Sequence, residues 1–173
     1  GRRREALPRL AEAADLYRRL ARPAAQVRTM ALQARMLAEL GQLRSASARL
    51  GEARDLARRA HVDEYASTLA MTSARVEAAL GNVDAVDRSL ASLTGASLSP
   101  AARAERSLMT GLAALAAGQT ERARESLQET CFLARRAQLP ALEAEGLLGL
   151  AEAYLDIRES DRAALALRKV RSW

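Results

Sequence analysis

Three glycines, Gly41, Gly81 and Gly118, each close an apolar-periodic stretch and open another, and their surroundings match. Leu40-Gly41-Gln42-Leu43 begins one copy, Leu80-Gly81-Asn82-Val83 a second, Ala117-Gly118-Gln119-Thr120 a third. Five residues after each glycine stands Ala46, Val86 or Ala123, and nine after it Leu50, Leu90 or Leu127. Seven residues before it stands a small residue, Ala34, Ala74 or Gly111. The same offsets place a copy at Gly1, with Ala6 and Leu10, and another at Arg158, with Ala151, Ala163 and Leu167. The anchors 1, 41, 81, 118 and 158 are thus spaced by 40, 40, 37 and 40 residues. A repeat of this length is one supersecondary unit that buries its apolar face only by stacking on its neighbours.

Each copy reads as a helix, a short turn and a second helix. Glycine after the last periodic residue is helix-stop chemistry. The small residue seven positions earlier lets the two helices of a hairpin approach closely. The first helices are predicted at 24–40, 64–80, 100–117 and 141–157. The second helices are predicted at 5–20, 43–60, 83–94, 120–137 and 160–172. Pro23, Pro100 and Pro140 fall at helix starts, where the missing N–H costs nothing, and Ser99 can cap. The stretch 94–100 is the one evident loop. Pro8 sits inside the first predicted helix, which should begin nearer Ala6 or kink. Composition agrees: 49% of the 173 residues are apolar but only 3% aromatic, and alanine and leucine carry the core. Such a chain favours helix throughout.

These residues carry a resemblance. Leu150-Ala151-Glu152-Ala153-Tyr154 and the glycine, alanine and leucine spacing at Gly41, Gly81 and Gly118 resemble the tetratricopeptide (TPR) signature across the whole chain. The units run near 40 residues rather than 34, lack most of the family's large aromatics and have no fixed closing proline. Their length and composition are similar to the arrays of large bacterial transcriptional activators of the maltose-activator and antibiotic-regulator types. They are also similar to arrays attached to caspase-like CHAT proteases. The resemblance implies an all-α, right-handed α-solenoid of about four TPR-like hairpins and roughly nine helices. It is expected to form one repeat domain over 1–173, a segment of a larger cytoplasmic protein, and to bind rather than catalyse.

Chemistry-bearing residues are sparse. His61 is the only histidine and Cys131 the only cysteine, in different repeats, so a His-based metal cluster and an internal disulfide are both excluded. Cys131 reads as a small core residue, and His61 as a polar residue at a helix end. Gly146 and Gly149 lie in a helical pattern with no preceding strand. They read as close-packing positions rather than a phosphate loop. Glu143 and Glu145, and Asp63 and Glu64, read as solvated carboxylates. No enzyme activity and no cofactor are expected, and no apolar run is long enough to span a membrane.

Binding is expected on the first helices, which in TPR arrays line the concave face. That face would carry Arg28, Arg35, Met71 and Arg75, then Leu108, Leu112 and Leu115, then Glu145 and Glu152. Arg35 and Arg75 occupy equivalent positions and are expected side by side in a basic patch. The expected occupant is a peptide or partner domain with an acidic end and apolar anchors. A lysine-and-asparagine carboxylate clamp is absent. Charge is uneven: residues 1–60 hold 14 basic and 6 acidic side chains. Arg2, Arg3, Arg4, Arg9, Arg18, Arg19 and Arg22 could meet phosphate, yet Tyr17 is the only aromatic near them, so nucleic acid is the weaker reading. Leu165, Leu167, Val170 and Trp173 leave an apolar end through which self-association is expected.

Overall fold

The computed structural model describes residues 2–91, 93 and 98–171. Gly1, the loop at 94–97 and Trp173 lie outside the described residues, as do the side chains of Arg2, Arg3 and Arg4. Among the described residues there are nine helices and no strand. They are α1 (Arg2–Arg19), α2 (Pro23–Glu39), α3 (Leu43–Arg59), α4 (Ala66–Ala79), α5 (Val83–Ala91), α6 (Pro100–Ala116), α7 (Thr120–Arg136), α8 (Pro140–Asp156) and α9 (Ser160–Arg171). The chain is an all-α helical repeat array in which helices neighbouring in sequence pack on one another. It divides into two compact units, residues 1–76 and 77–173.

The turns keep a stricter rhythm than the glycines alone. Backbone φ is positive at Ala21, Gly41, His61 and Gly81, and again at Gly118, Gln138 and Arg158. Within each run the steps are twenty residues. At each, the residue after the left-handed one bonds back five residues and the left-handed one bonds back three. Arg22 N–H donates to the Tyr17 carbonyl at 2.9 Å and Ala21 N–H to Arg18 at 3.2 Å. Gln119 and Gly118 do the same to Ala114 and Leu115. This is the Schellman arrangement, which satisfies the last carbonyls of a helix. Glycine takes the left-handed position without strain, and Ala21, His61, Gln138 and Arg158 hold it at a cost of about 1 kcal/mol each.

Helix starts follow the expected chemistry. Pro23, Pro100 and Pro140 occupy first turns, and the Ser99 hydroxyl accepts from Ala102 N–H at 3.2 Å. α1 departs from expectation by beginning at Arg2 rather than nearer Ala6, with Pro8 inside it. The proline forfeits one backbone bond near the helix start, and the remaining turns hold.

In unit 1 the core gathers Val27, Met30 and Ala34 of α2 with Leu50 and Ala53 of α3 and Leu69 and Val76 of α4. In unit 2 it centres on Leu127 of α7, which is fully buried. Glycines hold Leu127 from two sides. A Cβ built on Gly111 of α6 would stand 2.7 Å from its Cγ, and one on Gly149 of α8 would stand 3.0 Å from its Cδ2. Gly146 likewise lies against Thr130 and Cys131. The two glycines of α8 are therefore close-packing positions: without side chains they let α8 settle directly onto α7.

Candidate functional site

The surface of a first helix follows from what its neighbours cover. At the positions thirteen and six residues before the anchor, Arg28 and Arg35 on α2 and Glu145 and Glu152 on α8 are exposed, whereas Arg75 on α4 and Glu105 and Leu112 on α6 are half-buried. Positions ten and three before the anchor are covered where a further first helix follows. Leu108 and Leu115 of α6 are 0% and 8% exposed, so they belong to the core and correct the expectation of an apolar binding middle. α8 packs on α6 and closes that flank. Leu112 is half-buried, and its Cδ2 lies 3.4 Å from where a Gly149 Cβ would stand. The equivalent leucines of α8, Leu148 and Leu155, are 50% and 55% exposed, with no first helix beyond them among the described residues.

In unit 1, Arg35 Nε donates to Glu39 Oε1 at 3.3 Å, an exposed pair one turn apart on α2. Met71 and Arg75 of α4 are half-buried, and Arg75 already interacts with another group. Arg28 forms no ion pair with a described residue. It stands at the mouth of an open cleft of about 540 Å³ between α1 and α2. Leu10, Ala13 and Tyr17 of α1, Thr29 and Leu32 of α2, and Arg22 and Tyr65 are among the residues that line it. No carboxylate lines it. Sequence reasoning did not single out this cleft. Its only signal was Leu32, which shares its repeat position with Thr72, Met109 and Gly149.

Two polar residues have roles the sequence did not disclose. Glu143 is buried rather than solvated, its side chain only 3% exposed. Arg135 Nη2 and Nε both donate to its Oε1, at 2.6 and 3.0 Å. Arg135 ends α7 and Glu143 starts α8, so the pair clamps the turn between them. Burial, and then the nearby Glu143 carboxylate, push the Cys131 thiol up to about 11. Such a thiol stays protonated near neutrality and is a poor nucleophile. His61 is exposed in the turn after α3, in unit 1, whereas Cys131 belongs to unit 2. Among the described residues no group of three His, Cys, Asp or Glu side chains could hold a metal ion. No helix among them is long and apolar enough to cross a membrane.

Of the α1 arginines, Arg18 is paired with Asp15 at 3.0 Å, and Tyr17 is half-buried in the cleft wall rather than displayed for stacking on a base. No protein-family model and no curated protein matches the chain.

Proposed function

We propose that the chain is a TPR-like interaction module that holds a peptide or partner domain on its first-helix faces, serving as a scaffold within a bacterial cytoplasmic regulator of transcription or signalling. The observation that carries this reading is the α2 face. Arg28 and Arg35 are both exposed on α2, so their charge contributes to no core contact. Among the described residues Arg35 pairs with the exposed Glu39, a pair worth about 0.3–0.5 kcal/mol at this spacing, and an incoming carboxylate displaces it readily. The matching positions of α8 carry Glu145 and Glu152, so the two units present opposite charge. An acidic segment fits unit 1 and a basic one fits unit 2.

The test is an array of extended acidic peptides with apolar anchors, screened against the chain and against Arg28→Glu/Arg35→Glu. Binding by the parent, weakened at least tenfold in the variant and falling as salt rises, supports the reading. Equal affinity of parent and variant, or Arg35→Glu plus Arg75→Glu leaving affinity unchanged, removes the basic face as the binding surface.

A further inference from the structure

Six residues before the left-handed residue that ends a second helix stands Asp55 on α3, before His61, and Phe132 on α7, before Gln138. Asp55 is exposed and paired with Arg58 one turn on, although helices precede and follow α3 in its unit. Openness at this position therefore belongs to the repeat and not to an absent neighbour. On α7, which packs on both α6 and α8, the position holds the chain's only phenylalanine, and it is 58% exposed. A single exposed apolar side chain is ordinary. Its surroundings on α7 set this one apart. The exposed strip of the helix runs Glu121, Glu125, Gln128, Phe132, Arg136, acidic at its start, apolar further on and basic at its end. Glu121 is paired with Arg124. Glu125 and Arg136 form no ion pair with a described residue. Arg136 lies instead over the Phe132 ring, 5.4 Å from its centroid. Glu125 and Arg136 are about three helical turns apart, so the two charges share a face at a spacing of about 16.5 Å.

We infer that this strip is a self-docking surface, on which α7 pairs antiparallel with α7 of a second copy of the chain about a two-fold axis. A two-fold contact needs a patch complementary to its own reverse, and a strip ordered acidic, apolar, basic meets that condition. The charges set the register. With the axis at the level of Thr130 and Cys131, Glu125 of each copy faces Arg136 of the other, so both free charges are satisfied at both ends. The same register seats each Phe132 between Glu125, Gln128, Glu129 and Phe132 of the other copy, which is the four-residue hole that receives a helix knob. The stems of the polar residues supply methylenes to the ring. Two of them are already held: Gln128 Nε2 donates to the Tyr154 hydroxyl at 3.2 Å, and Glu129 accepts from the Ser107 hydroxyl. Held side chains lose less freedom on docking. A parallel pairing would set Glu125 against Glu125 and Arg136 against Arg136, so charge also fixes the direction. α1 and α3 cannot do the same, because Asp15 and Asp55 stand at the phenylalanine's position and are paired with Arg18 and Arg58. The surface lies on a second helix, and the inference does not rest on the acidic-peptide reading of the first helices.

The test is sedimentation velocity on the full chain at concentrations up to about 1 mM, the weak end of specific association. The parent should show a reversible monomer–dimer equilibrium that weakens as salt rises. Phe132→Glu should weaken it at least about tenfold, as loss of a central aromatic anchor does. Glu125→Arg and Arg136→Glu should each weaken it by a similar factor, because either one sets like charges opposite at both ends of the contact. An equal mixture of those two variants should associate again, since each then offers the sign the other lacks. Damage to the fold could not produce that rescue. All three side chains are exposed, and circular dichroism should show each variant folded. Arg28→Glu/Arg35→Glu and Leu165→Glu/Leu167→Glu should leave the dimer unchanged, which separates this contact from the first-helix face and from the apolar side of α9. A monomer throughout the range overturns the proposal. So does a dimer indifferent to Phe132→Glu, or a mixture of the two charge variants that associates no better than either alone.

Discussion

Adding one methyl group at Gly111 or at Gly51 should move stability in opposite directions, although both glycines lie inside helices. Replacing a mid-helix glycine by alanine gains about 1 kcal/mol through backbone entropy. Around Gly51 of α3 a Cβ meets nothing within 4 Å, so Gly51→Ala keeps the whole gain. Around Gly111 the Cβ would stand 2.7 Å from Leu127 Cγ, 2.9 Å from its Cδ2 and 3.3 Å from its backbone nitrogen. Leu127 cannot swing away, because Gly149 holds its other side at 3.0 and 3.1 Å from where a Cβ would be. The strain falls on the backbones of α6 and α7, and overpacking of this kind costs about 1–3 kcal/mol. After the helical gain, Gly111→Ala loses up to about 2 kcal/mol. A change of 1 kcal/mol moves Tm by about 2–4 °C in a chain of this size. Far-UV circular dichroism should therefore show Gly51→Ala melting a few degrees higher and Gly111→Ala a few degrees lower. Leu127→Ala alone should cost about 2–5 kcal/mol. Combined with Gly111→Ala it should cost at least ~1 kcal/mol less than the sum of the two, since the new methyl enters the space vacated. Gly111→Ala melting as high as Gly51→Ala, or strict additivity in the double variant, would refute the glycine-walled seat for Leu127.

The turn residues give a second set of outcomes. Ala21→Gly, His61→Gly, Gln138→Gly and Arg158→Gly should each stabilise by about 0.5 kcal/mol, read as a rise in urea midpoint, because relief of left-handed strain exceeds the entropy glycine adds to the unfolded chain. Arg135→Ala should destabilise by about 2–3 kcal/mol in the same assay, since it leaves the buried Glu143 carboxylate without its donor, whereas Arg136→Ala, beside the exposed Phe132, should cost no more than ~1 kcal/mol. For Cys131 the folded thiol stands at about 11 against an ordinary value of 9.0. A raised value favours the protonated folded state, so stability present below pH 9 should fall as pH rises through about 11, and Cys131→Ala should lack that part of the fall. Leu115→Gln should destabilise by about 3 kcal/mol while Leu155→Gln stays within about 0.5, because the same repeat position is covered on α6 and open on α8; equal melting points for the two would contradict the covering rule.

Helix positions were legible because period and punctuation agree where both are present. The apolar stripe, with the glycines at Gly41, Gly81 and Gly118 and the prolines that start α2, α6 and α8, places the boundaries to within a few residues. Non-glycine turns were harder. Ala21, His61, Gln138 and Arg158 carry no side-chain signature of positive φ, and only the twenty-residue step marks them. Periodicity identifies a helix's faces but not which neighbour covers each flank. Leu108 and Leu115 therefore read as a binding surface although α8 packs against their helix. Glu143 read as solvated because its donor, Arg135, lies across a turn, and a buried ion pair has the same composition as an exposed one.

One packing rule explains both classes of exposed side chain. A first helix covers the second helix of its own hairpin and one flank of the next first helix, as α6 does for α7 and α8. Positions inside that contact must be apolar in every copy, so leucine appears there whether or not a neighbour stands over it. Leu127 is covered, and Leu167, at the same repeat position of α9, is 42% exposed. The positions thirteen and six residues before the anchor are exposed on α2 and α8, and half-buried at Arg75, Glu105 and Leu112. Arg28, Arg35, Glu145 and Glu152 stand there, and nothing in the core requires two of them to be basic and two acidic. The charged positions select by sign at ordinary solvent exposure, where interactions are weak individually and screened by salt.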